Sequence, residues 1–146
     1  MNRRIKVILI SFVALLVLIQ FYPLDRSNPP VTAEIETPPE VKVVLKESCY
    51  DCHSNETVWP FYAYIAPVSW LVVRDVHKAR HDVNFSEWGS IPVEKQYKKL
   101  DKLWEEVEEG KMPLPIYLIT HPGAKLSEEH KATIKNWVQS SLATKP

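Results

Sequence analysis

Residues Cys49-Tyr50-Asp51-Cys52-His53 set two cysteines three positions apart, with a histidine directly after the second. This is the attachment pattern of c-type haem. Thiols at that separation on one helical turn reach the two vinyl groups of a single porphyrin and form thioethers. The adjacent histidine then lies beneath the iron as its proximal axial ligand. The chain holds no other cysteine, so no further thiol competes for either role. Built around such a motif, the remaining residues must carry it across a membrane, wrap a porphyrin, and supply or withhold a second axial ligand.

Three other chemistries use a Cys-x-x-Cys pair. A thiol redox centre sets a low-pKa cysteine at a helix N-terminus, usually in a βαβ setting that this sequence does not show. A zinc site needs two further ligands at matching spacing. A small structural disulfide is permitted in an exported domain. The histidine after the second cysteine adds nothing to thiol exchange or to a disulfide.

The N-terminus carries a targeting segment. Arg3-Arg4-Ile5-Lys6 leads into Val7–Ile19, thirteen residues of which only Ser11 is polar. Gln20-Phe21-Tyr22 extends the run with an aromatic pair suited to a membrane interface. The apolar core is short for a span and has the length of a signal-peptide core. No small residues follow it where cleavage would fall. The expectation is an uncleaved signal anchor over residues 1–22, a single transmembrane helix of a bacterial inner membrane. The positive-inside rule puts its N-terminus in the cytoplasm and the remainder in the periplasm. Cleaved export is the alternative, and either route delivers the motif to where c-type haem is attached.

Residues 23–38 read as a linker. Pro23, Pro29, Pro30 and Pro38 recur among polar residues and favour a semi-extended spacer holding the domain off the membrane. The haem-binding domain is then expected over residues 39–140. Formal charge is zero, but Arg3, Arg4 and Lys6 all precede the apolar run. The chain beyond that run holds 15 basic and 18 acidic side chains, a slight acidic excess. No basic stripe speaks for nucleic acid. With 3 glycines and 12 prolines, the chain is expected to be all-α, its helices separated by proline-punctuated loops.

Pro39 opens the first expected helix, with Thr37 as a cap and Val41, Val44 and Leu45 as its buried stripe. Trp59–Trp70 is dense in aromatics, which are expected to pack on the porphyrin or seal its edge, with plain core packing the alternative for any one of them. A helix from Ser69 to His81, capped by Ser69, puts His77 and His81 on one face. Asn84–Gly89 reads as a loop. Pro92–Glu109 is the clearest amphipathic helix, with Ser90 as cap and Gly110 as stop. Ser127 caps the last helix, whose first turn holds Glu128 and Glu129, and whose tail frays from Ser140.

Between the last two long helices lies Gly110-Lys111-Met112-Pro113-Leu114-Pro115. Met112 is the only methionine apart from Met1. Thioether sulfur is a common sixth ligand of c-type haem iron, and Pro113 stiffens the backbone beside it. Met112 is therefore the candidate sixth ligand, with His77 and His81 as alternatives. Core packing is the other use of a lone methionine.

The order of helix, Cys-x-x-Cys-His, helices, Met-Pro loop and C-terminal helix looks like a small class I cytochrome c. Four phrases resemble the bacterial haem-binding domain family more closely. They are Cys-Tyr-Asp-Cys-His-Ser-Asn-Glu-Thr, Ile-Ala-Pro-Val-Ser-Trp, Asn-Phe-Ser-Glu-Trp and Met-Pro-Leu-Pro. The resemblance spans about Val41 to Val138. It implies one covalent haem on Cys49 and Cys52 with iron bound by His53, in a domain often anchored to a membrane. It does not supply a reaction or decide the sixth ligand.

The leading expectation is a membrane-tethered single-electron carrier serving an unidentified redox partner protein. It needs no catalytic side chain, and no acid–base constellation is evident. A haem-based sensor with an open sixth site and a peroxidase-like enzyme with a distal His77 or His81 are the alternatives. Thiol–disulfide exchange is the reading that requires no haem.

Overall fold

The computed structural model describes residues 2–144. Seven α-helices and four short 3-10 turns account for its regular structure, with no strand among the described residues. The expected all-α architecture is the observed one.

Helix α1 spans Arg3–Leu18 and runs on through a 3-10 turn, Ile19–Phe21. Together they form 19 residues of mean hydropathy 2.2, none of them buried by the rest of the chain. At 1.5 Å per residue that is about 28 Å, close to the hydrocarbon thickness of a bilayer. The helix is longer than the apolar run because it takes in Arg3, Arg4 and Lys6. It is long and apolar enough to cross a membrane, a property that signal sequences share.

The core is built by α2 (Pro39–Ser48), α5 (Val93–Glu108) and α7 (Glu128–Ala143). Val41, Val44 and Leu45 from α2 meet Leu100 and Val107 from α5 and Ile134 and Val138 from α7. The Val41, Val44 and Leu45 stripe read from the sequence is the buried face of α2. A single turn, α3 (Tyr50–His53), succeeds α2 directly and packs on α4 (Val68–Asp82). The short α6 (Pro115–Thr120) leads towards α7.

Several expectations are corrected. Asn84–Gly89, expected as a loop, is largely a 3-10 turn that enters the core. Its Phe85 and Trp88 are core residues within a 3-10 turn, Phe85–Ser90, which Asn84 caps by accepting from the Ser86 N–H at 3.1 Å. The 23–38 stretch is extended, as its prolines require, yet it lies along the domain rather than standing clear. Ile35 is buried in the core, its N–H donating to the Phe85 carbonyl at 2.8 Å. Gly89 returns a hydrogen bond to the Ala33 carbonyl at 2.9 Å. The packed body therefore begins before residue 39. At the other end α7 stays helical to Ala143, because Leu142 packs on the core and the Ser141 hydroxyl donates to the Trp137 carbonyl at 2.8 Å.

The caps differ as well. Pro38, Pro67 and Pro92 stand at the N-cap positions of α2, α4 and α5, with no side-chain cap bond. Thr37, Ser69 and Ser90 do not cap. The prolines arrive with φ already set near the helical value, so the chain enters each helix at the proline rather than at the nearby hydroxyl. Ser127 does cap α7, accepting from the His130 N–H at 3.1 Å.

Candidate functional site

Helix α2 ends where Cys49 takes φ −127° and ψ −33°, and the chain starts afresh in α3. The Cys49 carbonyl accepts from Cys52 N–H at 3.2 Å and His53 N–H at 2.9 Å, which draws the motif into one tight turn. Both cysteines are free and partly buried.

Residues on every side hold that turn. The Tyr50 ring is buried and stacks on Phe85 at 5.3 Å between centroids. Its hydroxyl donates to Glu34 at 3.1 Å and accepts from Lys42 at 2.7 Å. The Asp51 carboxylate accepts from the Val58 N–H at 3.1 Å and the Tyr117 hydroxyl at 2.8 Å. Ser54, fully buried, donates to the Tyr50 carbonyl at 2.7 Å. Asn55 N–H donates to the Ser86 hydroxyl at 2.9 Å, and the Asn84 amide donates to the Asn55 side chain at 2.9 Å. The Ser-Asn-Glu-Thr phrase after the motif is thus locked to the Asn-Phe-Ser-Glu-Trp phrase some thirty residues later.

His53 is oriented the same way. Its Nδ1 lies 3.1 Å from the Val83 carbonyl oxygen. A carbonyl only accepts, so Nδ1 carries the proton and Nε2 is left with a free lone pair. Burial holds the imidazole pKa below its ordinary value, although hydrogen bonds to backbone oppose the shift. The neutral ring that results is the form that binds metal.

Cys49, Cys52, His53 and Met112 all line one cavity of about 910 Å³. That lies at the upper end of the roughly 300–1,000 Å³ usual for small-molecule and cofactor sites. Phe85, Val107 and Leu126 give it apolar walls. Basic side chains of α4 and α5, including Arg74, Lys78, Lys99 and Lys102, also border it.

The remaining candidates are placed elsewhere or at the edge. His77 is not on the cavity, and its Nε2 lies 3.0 Å from the Asp25 carbonyl. His81 borders the cavity, but its side chain is 90% exposed and lies beside Asp82. None of the aromatics of Trp59–Trp70 lines the cavity, so the expectation that they clothe a porphyrin is corrected. The aromatic walls are Phe85 and Tyr117 instead. Neither is legible as a wall in the sequence, since each comes from a segment that only tertiary packing brings to the motif. No group of three or more His, Cys, Asp or Glu poised to hold a metal ion is found among the described residues.

Two thiols, an imidazole with a free Nε2 and a thioether on one apolar cavity fit haem and its iron. A helical fold carrying this set defines a class, the haem proteins. A family model described as Haem-binding domain matches residues 14–140, and the chain belongs to that haem-binding domain family. No curated protein and no solved structure matches the chain.

Proposed function

We propose that this protein is a membrane-tethered, single-haem c-type domain that passes single electrons between partner proteins. The observation that carries the reading is the meeting of Cys49, Cys52, His53 and Met112 on one cavity. Cys49 and Cys52 would hold the group by thioethers, and His53, its ring fixed by the Val83 carbonyl, would offer Nε2 to the iron. Met112 would offer its thioether sulfur to the same iron. The Lys111 and Met112 N–H groups both donate to the Glu106 carbonyl, at 2.9 and 3.0 Å, which pins the methionine to the end of α5. Haem, when bound, supplies a one-electron iron couple, whose potential methionine ligation raises. Lys78 of α4 and Lys98 of α5, on the cavity rim, would offer counter-charges to its two carboxylates.

Helix α1 is read as the uncleaved anchor, with Arg3, Arg4 and Lys6 on the cytoplasmic side of a bacterial inner membrane and the domain in the periplasm. His77, turned to Asp25, gives no support to a peroxidase-like distal histidine.

The visible spectrum of the ferric protein tests the carrier reading. Wild type is expected to show the methionine-to-iron charge-transfer band, and Met112→Ala to lose it while keeping its haem. Absence of the band from wild type, with ready carbon monoxide binding to the ferrous protein, would overturn methionine ligation and favour a sensor.

A further inference from the structure

The membrane helix and the domain are joined by more than the chain. The Gln20 side chain grips the Ala66 peptide from both sides, its Oε1 accepting from Ala66 N–H at 2.9 Å and its Nε2 donating to the Ala66 carbonyl at 3.2 Å. The Tyr22 ring meets Trp70 edge-on at 6.0 Å. Arg26 donates to the Ala63 carbonyl at 2.7 Å and lays its guanidinium over the Tyr64 ring at 4.8 Å.

The surface so fixed to the end of α1 is apolar and uncovered. Phe61 is 77% exposed and Tyr64 58%, and Ile65, Val68 and Leu71 are exposed as well. Large apolar side chains clustered in water need a partner. Val68 and Leu71 share one side of α4, which continues to Arg74 and Lys78 at the cavity rim. Aromatic residues beside a membrane helix, grading into basic ones, have the composition of the bilayer interface.

We propose that this face is a membrane seat: the 3-10 turn Phe61–Tyr64 and the start of α4 rest in the headgroup region of the bilayer. The occupant is lipid because the patch continues from the end of a membrane helix and is clamped to it. The seat holds the domain at a fixed orientation, with one edge of the cavity rim close to the lipid surface. It rests on reading α1 as an uncleaved anchor.

The test uses the full-length, haem-loaded protein in vesicles of phosphatidylethanolamine and phosphatidylglycerol. The photoreactive residue p-benzoylphenylalanine replaces Phe61, Tyr64 or Leu71, one at a time, with Val43 on α2, also exposed, as the control. After illumination, mass spectrometry is expected to find phospholipid adducts several-fold more abundant at positions 61, 64 and 71 than at 43. Adducts no more abundant than at 43, in protein that stays full-length and resists alkaline carbonate extraction, overturn the seat and leave the anchor intact. A shortened protein released by carbonate overturns the anchor, and the seat with it.

Discussion

Cys49 and Cys52 sit where thiols are poor nucleophiles. Burial pushes the Cys49 thiol up to about 12, with Cys52 adding to the shift. Burial likewise raises Cys52 to about 11, helped by Asp51 and Asp75. A thiol-exchange centre needs the opposite, a pKa drawn down towards neutrality. Because both values lie above the ordinary 9.0, the folded protein carries on the order of a hundredfold less thiolate at pH 8 than an unfolded chain. Iodoacetamide labelling of folded, haem-free protein at pH 8 should therefore be far slower than in urea, and should quicken as the pH rises. Equal rates, read by mass spectrometry, would restore the thiol reading. The motif itself is legible in the sequence because its chemistry depends on local spacing. The Val83 carbonyl that orients His53 is not, since it comes from thirty residues away and shows no side-chain signature. The same limit makes His77 a ligand candidate on sequence alone: helical spacing says which face a residue shares, not what that face meets.

Helix ends show where sequence signals compete. At α2, α4 and α5 a hydroxyl and a proline lie within a few residues of one another, and the proline takes the N-cap. Where no proline intervenes, Ser127 caps α7 as its spacing predicts. The stop of α5 is equally readable. Gly110 has φ +70°, its N–H donates to Val107 at 3.1 Å, and Lys111 N–H donates to Glu106 at 2.9 Å, a Schellman closure. A Cβ at Gly110 would meet nothing within 4 Å, so its cost is one of backbone conformation alone. Gly110→Ala should destabilise the protein by about 1 kcal/mol in urea denaturation. With Met112 as the proposed iron ligand, the same variant is expected to weaken the methionine-to-iron band, because the turn at Gly110 leads directly into Met112. An unchanged midpoint would mean that the left-handed conformation is not required there.

On the scale of the molecule, the stretch expected to be a free spacer is a strap. Arg80 of α4 gathers it in, donating to the Ser27 carbonyl at 2.9 Å and the Asn28 side chain at 2.7 Å. The same guanidinium donates to the Ser54 carbonyl and the Thr57 hydroxyl, each at 2.8 Å, so it ties the strap to the residues just past the haem motif. Proline composition predicts an extended chain and is silent on whether that chain is free, which is why the strap is not legible in the sequence. Arg80→Ala should cost on the order of 2 kcal/mol, since it strands several acceptors at once. It should also open residues 27–32 to hydrogen exchange ahead of the core. A variant with wild-type exchange in the strap would show that backbone pairing alone holds it. The central claim, that this fold exists to hold one covalent haem, is tested most directly by the intact mass of protein matured with the c-type assembly machinery. One haem added to the polypeptide, and none in a Cys49→Ser, Cys52→Ser double variant, is the predicted result. An unmodified polypeptide mass with two free thiols would contradict it.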